Sequence, residues 1–346
     1  MRILWLDPAT PDRRDIGGAV AVLEAARIAD GLPGLTPTVS GFAGAMRTGW
    51  EGDPPLVAVA LDGDGSDGES VDGRGIDGDR RVRGVLELTL PPWDNRDQGV
   101  AEITVDPQSR RRGIGRALYA AAAERMRSVG RPKLILEAPA GSAGQLFLDA
   151  LGLNVEAGEQ LRLLDITALD WATLDEMYAD ALARAGEYEI REVPPEAPDD
   201  MMSELTAVIS AINDAPADVR HADPDQYPPE RIRANEAGEA GVGRIGYRLV
   251  AVHVPTGVFA GYTGVGVDAE RPWYATQYIT SVRAEHRGHR IGLLVKIAML
   301  RLLRDREPAL RTVSTWNSPD NAHMIAVNEA VGFRLAGDWV TGIAEV

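Results

Sequence analysis

Cysteine is missing from all 346 residues. Its absence excludes disulfides, thiolate metal sites, a thiol nucleophile and any acyl transfer through a cysteinyl enzyme. No hydrophobic run approaches a membrane span. Met1 to Pro8 pairs one Arg with a brief apolar stretch broken by Asp7, without the long apolar centre of a signal peptide. No membrane association is expected, and a cytoplasmic protein is. Positive charge is in deficit, with 36 Lys and Arg against 52 Asp and Glu and a net charge of -16. That balance opposes binding to nucleic acid and favours a cationic partner such as an amine, solubility being the competing reading. The five histidines show no metal-ligand spacing.

The length is about twice that of a common domain, and 45% hydrophobic content supplies two ordinary cores. Helix-like and strand-like stretches alternate, which predicts a mixed α/β (α+β) architecture. Strands are expected at Arg2 to Leu6, Leu56 to Leu61, Val82 to Leu90, Val100 to Val105 and Leu134 to Glu137. Helices are expected at Asp15 to Ala29, Gly113 to Val129 and Ala143 to Leu151. Asp62 to Arg80 has little to bury and reads as a mobile loop. Asp62, Asp64 and Ser66 resemble the opening of a calcium loop, but Asp67 and Gly73 stand where such a loop needs Gly and Glu, so no metal is expected.

A helical connector at Leu169 to Arg184 leads to a second half with the same order. Strands are expected at Tyr188 to Val193, Gly246 to His253, Val258 to Val267, Trp273 to Val282 and Thr312 to Thr315. Helices are expected at Asp199 to Ile212, Ile291 to Arg304 and Asn321 to Val331, with a helical or irregular stretch at Pro228 to Gly238. Val105 and Val282, Arg110 and Arg287, and Gly115 and Gly292 are each 177 positions apart, and Gly152 and Gly332 are 180 apart. A near-constant offset across strand, turn and helix implies duplication of one domain. The expected units are 1–165, a connector at 166–187, and 188–346.

Between a strand and a helix lies Val105-Asp-Pro-Gln-Ser-Arg110-Arg111-Arg112-Gly113-Ile114-Gly115-Arg116. Such a turn can aim backbone N–H groups at an anion, its glycines let phosphates approach, and the helix dipole adds partial positive charge. Pyrophosphate is the natural ligand; the opening of an ordinary surface helix is the competing reading.

The segment resembles the acetyl-CoA signature of the Gcn5-related N-acetyltransferase (GNAT) superfamily: Gln or Arg, two residues, Gly, one residue, then Gly or Ala. Arg110, Gly113 and Gly115 fill that pattern. The resemblance implies that Arg110 to Arg116 hold the pyrophosphate of CoA. The second copy, Arg287-Gly288-His289-Arg290-Ile291-Gly292-Leu293, has Arg290 where the pattern expects Gly. That is tolerable if φ stays negative there, and Arg290 then adds charge to the site; weakened CoA binding is the alternative. Downstream, Thr315 to Phe333 resembles the family's second signature, which assigns cofactor contacts to Asn317 and Asn321, with Met324 and Asn328 on the helix that follows. The first copy has Gly141, Ser142 and Gln145 there instead. The resemblance thus implies two tandem GNAT-like domains, each a mixed, centrally splayed β-sheet flanked by helices. The layout is similar to that of mycothiol synthase-type proteins, which favours a catalytic C-terminal copy and a structural or silent N-terminal one.

In the resembled family the amine attacks acetyl-CoA directly, and a backbone N–H before the phosphate loop stabilises the oxyanion. This implicates Thr280, Ser281 and Val282 in one copy and Ile103, Thr104 and Val105 in the other. The family's frequent acid, a Tyr four residues before the helix-ending Gly, is replaced by Asn328 and Leu148, and Asn cannot donate a proton as an acid. Candidate bases are Glu102, on the strand leading to the first loop, and Tyr278 and His253 in the second half; solvent-facing roles compete for Glu102 and His253. His286, His289 and His323 read as loop residues near the cofactor, and Trp273, Tyr274, Tyr278 and Trp316 as acceptor-pocket or core aromatics. The expected function is acetyl-CoA-dependent N-acetylation of a small-molecule amine by a monomer or homodimer. The alternatives are a CoA-binding protein without turnover and an acetyltransferase acting on a protein or peptide.

Overall fold

A computed structural model describes residues 1–62, 81–214 and 223–346. Apart from Asp62, the stretch expected to be a mobile loop lies outside the described residues. The first half runs β1 (Arg2–Trp5), α1 (Arg13–Ala29), α2 (Val39–Thr48), β2 (Leu56–Leu61), β3 (Val82–Thr89), β4 (Gln98–Val105), α3 (Ile114–Ser128), β5 (Lys133–Pro139), α4 (Ala143–Ala150) and β6 (Val155–Asp165). A connecting helix, α5 (Trp171–Ala185), follows. The second half repeats the order as β7 (Tyr188–Val193), α6 (Met202–Ser210), α7 (Pro229–Gly241), β8 (Arg244–His253), β9 (Val258–Asp268), β10 (Tyr274–Val282), α8 (Ile291–Arg306), β11 (Thr312–Asn317), α9 (Ala322–Ala330) and β12 (Arg334–Glu345).

Local chemistry sets the boundaries. Asp12 caps α1 by accepting from the Arg14 N–H, and Ile16, Ala19, Val22 and Ala26 give the helix one buried stripe. Asn321 caps α9 through the Met324 N–H at 3.1 Å, and Gly332 ends it with φ at 107° while Phe333 enters the core. Helix α2 has no counterpart among the expected elements, because its two glycines depress helix propensity. One of them is needed for packing: a Cβ on Gly44 would lie 2.1 Å from the Gly241 carbonyl oxygen, where α2 meets α7 of the other half.

The strands form one sheet in the order β1-β2-β3-β4-β5-β12-β6-β11-β10-β9-β8-β7. Matching strands of the two halves occupy mirror positions in that order, as a pseudo-twofold axis between β12 and β6 requires. At the centre the halves exchange their last strands. β12 pairs with β5 over Trp339 to Glu345, and β6 pairs with β11 over Gln160 to Asp165. Each core therefore contains the other half's strand, with Ala344 packed among Leu134, Leu136 and Leu148, and Leu164 among Ile297, Val313 and Phe333. Among the described residues, no helix is long and apolar enough to cross a membrane.

The sheet parts twice. β4 pairs in parallel with β5 only from Gln98 to Ala101, and β10 with β11 only from Tyr274 to Thr276. Beyond those points each strand keeps its antiparallel neighbour on one side and leaves its other edge of N–H and C=O groups without a strand partner.

Candidate active site

Each parting opens a cavity. The larger, about 1110 Å³, lies in the N-terminal half and is lined by Glu102, Ile103, Thr104 and Val105 of β4, by Arg110, Arg111, Gly113, Ile114, Gly115 and Arg116, and by Glu137 to Pro139 of β5. Arg112 is the one residue of the expected first loop outside the lining. The opposite wall comes from the other half, through Tyr274, Thr276, Ser314, Trp316 and Trp339.

The loop before α3 is built by its own side chains. Asp106 accepts from the Gln108 N–H and from Ser109, at 3.0 and 3.2 Å, closing a short 3-10 turn. Arg110 folds back on the strand, donating from Nε to the Val105 carbonyl at 3.3 Å and from both terminal nitrogens to Asp30 at 2.7 Å. It therefore holds the loop's shape. Gly113 begins α3 at φ 83° with no capping side chain, and a Cβ there would meet nothing within 4 Å. The helix N-terminus thus faces open space with unsatisfied N–H groups. Arg111, Arg112 and Arg116 have no ion pair among the described residues. Open N–H groups, a glycine entry and uncommitted guanidiniums fit the pyrophosphate of CoA.

The second loop has the same backbone and a different charge state. Arg283 pairs with Glu204 and Glu285, Arg287 with Asp214 at 2.7 Å, and Arg290 with Asp180 of α5. Arg290 corrects the expectation placed on it: φ is 57° rather than negative, because it occupies the left-handed position that Gly113 fills in the first copy, and its guanidinium turns to α5 instead of the phosphate site. The smaller cavity, about 740 Å³, is lined by Thr280, Asn317, Asn321, Met324 and Tyr278. Ser281, Val282, Arg287, Gly288, His289, Ile291, Gly292, Leu293 and Asn328 line neither cavity. Ser281 donates to the Val208 carbonyl at 2.6 Å, and Asn328 is fully buried, donating to Asn317 at 2.8 Å.

The three candidate catalytic residues are not brought together. His253 ends β8 beside Thr256 and Glu187, at 2.8 and 3.5 Å, and lines neither cavity. Tyr278 is half-buried against Trp50, ring centroids 4.4 Å apart, with its hydroxyl 3.4 Å from Arg244; the surrounding protein raises its pKa by desolvation. Glu102 is exposed to the larger cavity. Directly across the β3–β4 ladder stands Glu87, on the same sheet face and in the same cavity lining. Burial raises both carboxyls above the usual range, and the Glu102 charge pushes Glu87 further. Glu87 escaped the sequence reading. Its signal was a lone acid between the buried Leu86 and Leu88, which becomes informative only once the register sets it opposite Glu102.

The acetyltransferase (GNAT) family profile matches residues 65–145. No curated protein matches the chain. Among solved structures, a tandem GNAT protein from the clavulanic acid biosynthesis pathway, determined without acetyl-CoA, is similar over 99% of this chain and 98% of its own, with 29% identity and a TM-score of 0.75. A GCN5-related N-acetyltransferase from Sphaerobacter thermophilus shares the fold over 99% of this chain and 95% of its own, with 15% identity and a TM-score of 0.63. A putative acetyltransferase from Pyrococcus horikoshii shares it over 100% of this chain and 89% of its own, with 14% identity and a TM-score of 0.56.

Proposed function

We propose, from the GNAT profile over residues 65–145 and the likeness to a tandem GNAT protein, that the chain is a tandem-domain GNAT N-acetyltransferase that acetylates a small cationic amine with acetyl-CoA bound in the N-terminal half. The observation that carries this reading is the contrast between the two loops. Among the described residues, the first keeps Arg111, Arg112 and Arg116 without acidic partners beside an open helix N-terminus and commits only Arg110, to Asp30, whereas Arg283, Arg287 and Arg290 of the second are all committed to protein carboxylates. The C-terminal copy, which the family resemblance favoured, becomes the structural partner that walls the acceptor side.

Acetyl-CoA supplies the activated acyl group. The loop and the first turn of α3 hold the pyrophosphate, and the unpaired edge of β4 from Glu102 to Val105 offers backbone N–H groups to the thioester end. Glu87 and Glu102 give the acceptor region carboxyl groups that can accept from an amine, and Trp316 and Trp339, with ring centroids 4.7 Å apart, give it apolar surface. A protonated amine is drawn there and must lose a proton before it attacks. The Glu87–Glu102 pair, held above the ordinary carboxylate range, is suited to take that proton near neutral pH.

The test is turnover, read as release of free CoA thiol, across a panel of cationic amines, zwitterionic amino acids and a basic peptide. Faster kcat/KM for cationic small amines is expected. Preference for the peptide overturns the substrate class, and binding of acetyl-CoA without turnover on any amine overturns catalysis.

A further inference from the structure

The smaller cavity contains a side chain that the proposed acetyl transfer does not use. Lys296, on α8, lines this cavity and is only 2% exposed. Among the described residues it has no hydrogen-bond or ion-pair partner; the nearest interaction is the Phe333 ring, 5.6 Å from Nζ. An unpaired buried ammonium is costly, and such a group is retained where something compensates it.

The neighbouring charges do not compensate it. Arg231 is bound to Glu51 and Asp94 at 2.5 and 2.7 Å, Arg248 to Glu236 at 2.8 Å, and Arg244 lies 5.4 Å from the centroid of the Trp50 ring. Of the cavity's acids, Glu51 is held by Arg231, Asp223 accepts from the Asn95 N–H at 3.3 Å, and Glu159 and Asp225 have partners of their own. None forms an ion pair with Lys296. Asn317, 8% exposed and also in the lining, accepts from Asn328 through its carbonyl oxygen, which leaves its own NH₂ group to donate. The lining thus presents one uncommitted ammonium, one uncommitted amide donor and aromatic walls from Trp50, Tyr278 and Trp316. The phosphate loop of this half lies outside the lining, so the complement is a compact anion with an apolar body and not a whole nucleotide cofactor.

We propose that the C-terminal cavity is a second ligand site, which binds a small carboxylic acid with its carboxylate on Lys296 and Asn317 and its apolar body against Trp50 and Trp316. The site shares Trp316, Glu159, Arg244 and Thr276 with the larger cavity, but Lys296 and Asn317 line only the smaller one, and the proposal does not depend on acetyl transfer in the N-terminal half. Without a ligand, burial lowers the Lys296 pKa to about 7, so at alkaline pH the amine is mostly neutral. A carboxylate stabilises the charged form, and binding there must draw a proton from solvent.

The experiment is calorimetric titration of the full chain with 3-phenylpropionate and with its uncharged amide, in two buffers of different ionisation enthalpy at pH 6 and pH 8.5. The acid is expected to bind with an uptake of roughly one proton at pH 8.5 and close to none at pH 6, and the amide to bind at least about tenfold more weakly. Lys296→Met should lose the acid by a similar factor while leaving acetyl-CoA binding unchanged, which also shows that the variant is folded. The proposal is overturned if the acid fails to bind, if it binds the Lys296→Met variant as well as the parent, or if no proton is taken up at pH 8.5.

Discussion

Glu87 and Glu102 face each other across the β3–β4 ladder, so removing one carboxyl changes the proton affinity of the other. If Glu102 takes the amine's proton, kcat/KM must rise with pH through its raised pKa. Glu102→Gln should then lower kcat about a hundredfold or more, with the KM for acetyl-CoA little changed. The Glu102 charge raises Glu87, so Glu87 is still protonated while Glu102 ionises, and Glu87→Gln should leave the acidic limb of the pH–rate profile nearly in place. A limb that moves clearly to lower pH would show that Glu87 ionises first. Stability reads the raised Glu87 pKa directly. A carboxyl whose folded pKa is raised costs stability as pH climbs from its unfolded value through the folded one, so Glu87→Gln should raise Tm more at pH 8 than at pH 5. Arg290 offers a second test, on stability alone. Its left-handed backbone costs about 1 kcal/mol that Gly avoids, and its exposed pair with Asp180 gives back ~0–1 kcal/mol. Arg290→Gly should leave Tm equal or higher; a clear loss would show that the ion pair dominates.

At the scale of elements, much was legible. Both glycine-containing loops, the helices after them and the strands before them lie where periodicity put them, because each couples an apolar period to a glycine or cap signal that acts within a few residues. Asn321 and Gly332 bound α9 for the same reason. What was hidden is non-local. β6 and β12 were not foreseen as strands. Val155-Glu-Ala-Gly-Glu-Gln and Arg334-Leu-Ala-Gly-Asp-Trp alternate poorly, and their partners come from the other half of the chain. The charge contrast between the loops was equally out of reach. Arg287 and Arg290 read as phosphate ligands until Asp214 and Asp180, distant in sequence, are seen to claim them. Strand exchange has a measurable consequence, since neither half can lose its sheet without exposing the centre of the other. Differential scanning calorimetry should show one transition with a calorimetric to van't Hoff enthalpy ratio near one. Two separate transitions would contradict the coupling assigned to β6 and β12.

Over the whole molecule, duplication has left two copies of one architecture with different chemistry. The N-terminal copy combines a charged open loop, an unpaired strand edge and a carboxylate pair around one cavity, and the opposite wall of that cavity comes from its twin. The C-terminal copy has tied down its loop arginines and kept a buried lysine instead. Occupancy of the first copy by acetyl-CoA is the central claim, and the duplication supplies a matched test. Gly115 and Gly292 hold equivalent places in the first turns of α3 and α8. Neither has positive φ, and an added Cβ would meet only ordinary contacts, at 3.5 and 3.7 Å. Glu at either place sets an anion against the phosphate position of that copy alone. Calorimetric titration with acetyl-CoA should give one site per chain for the parent and for Gly292→Glu, and a loss of at least about a hundredfold, ~2.7 kcal/mol, for Gly115→Glu. The reverse pattern, with binding lost in Gly292→Glu and kept in Gly115→Glu, would contradict the account.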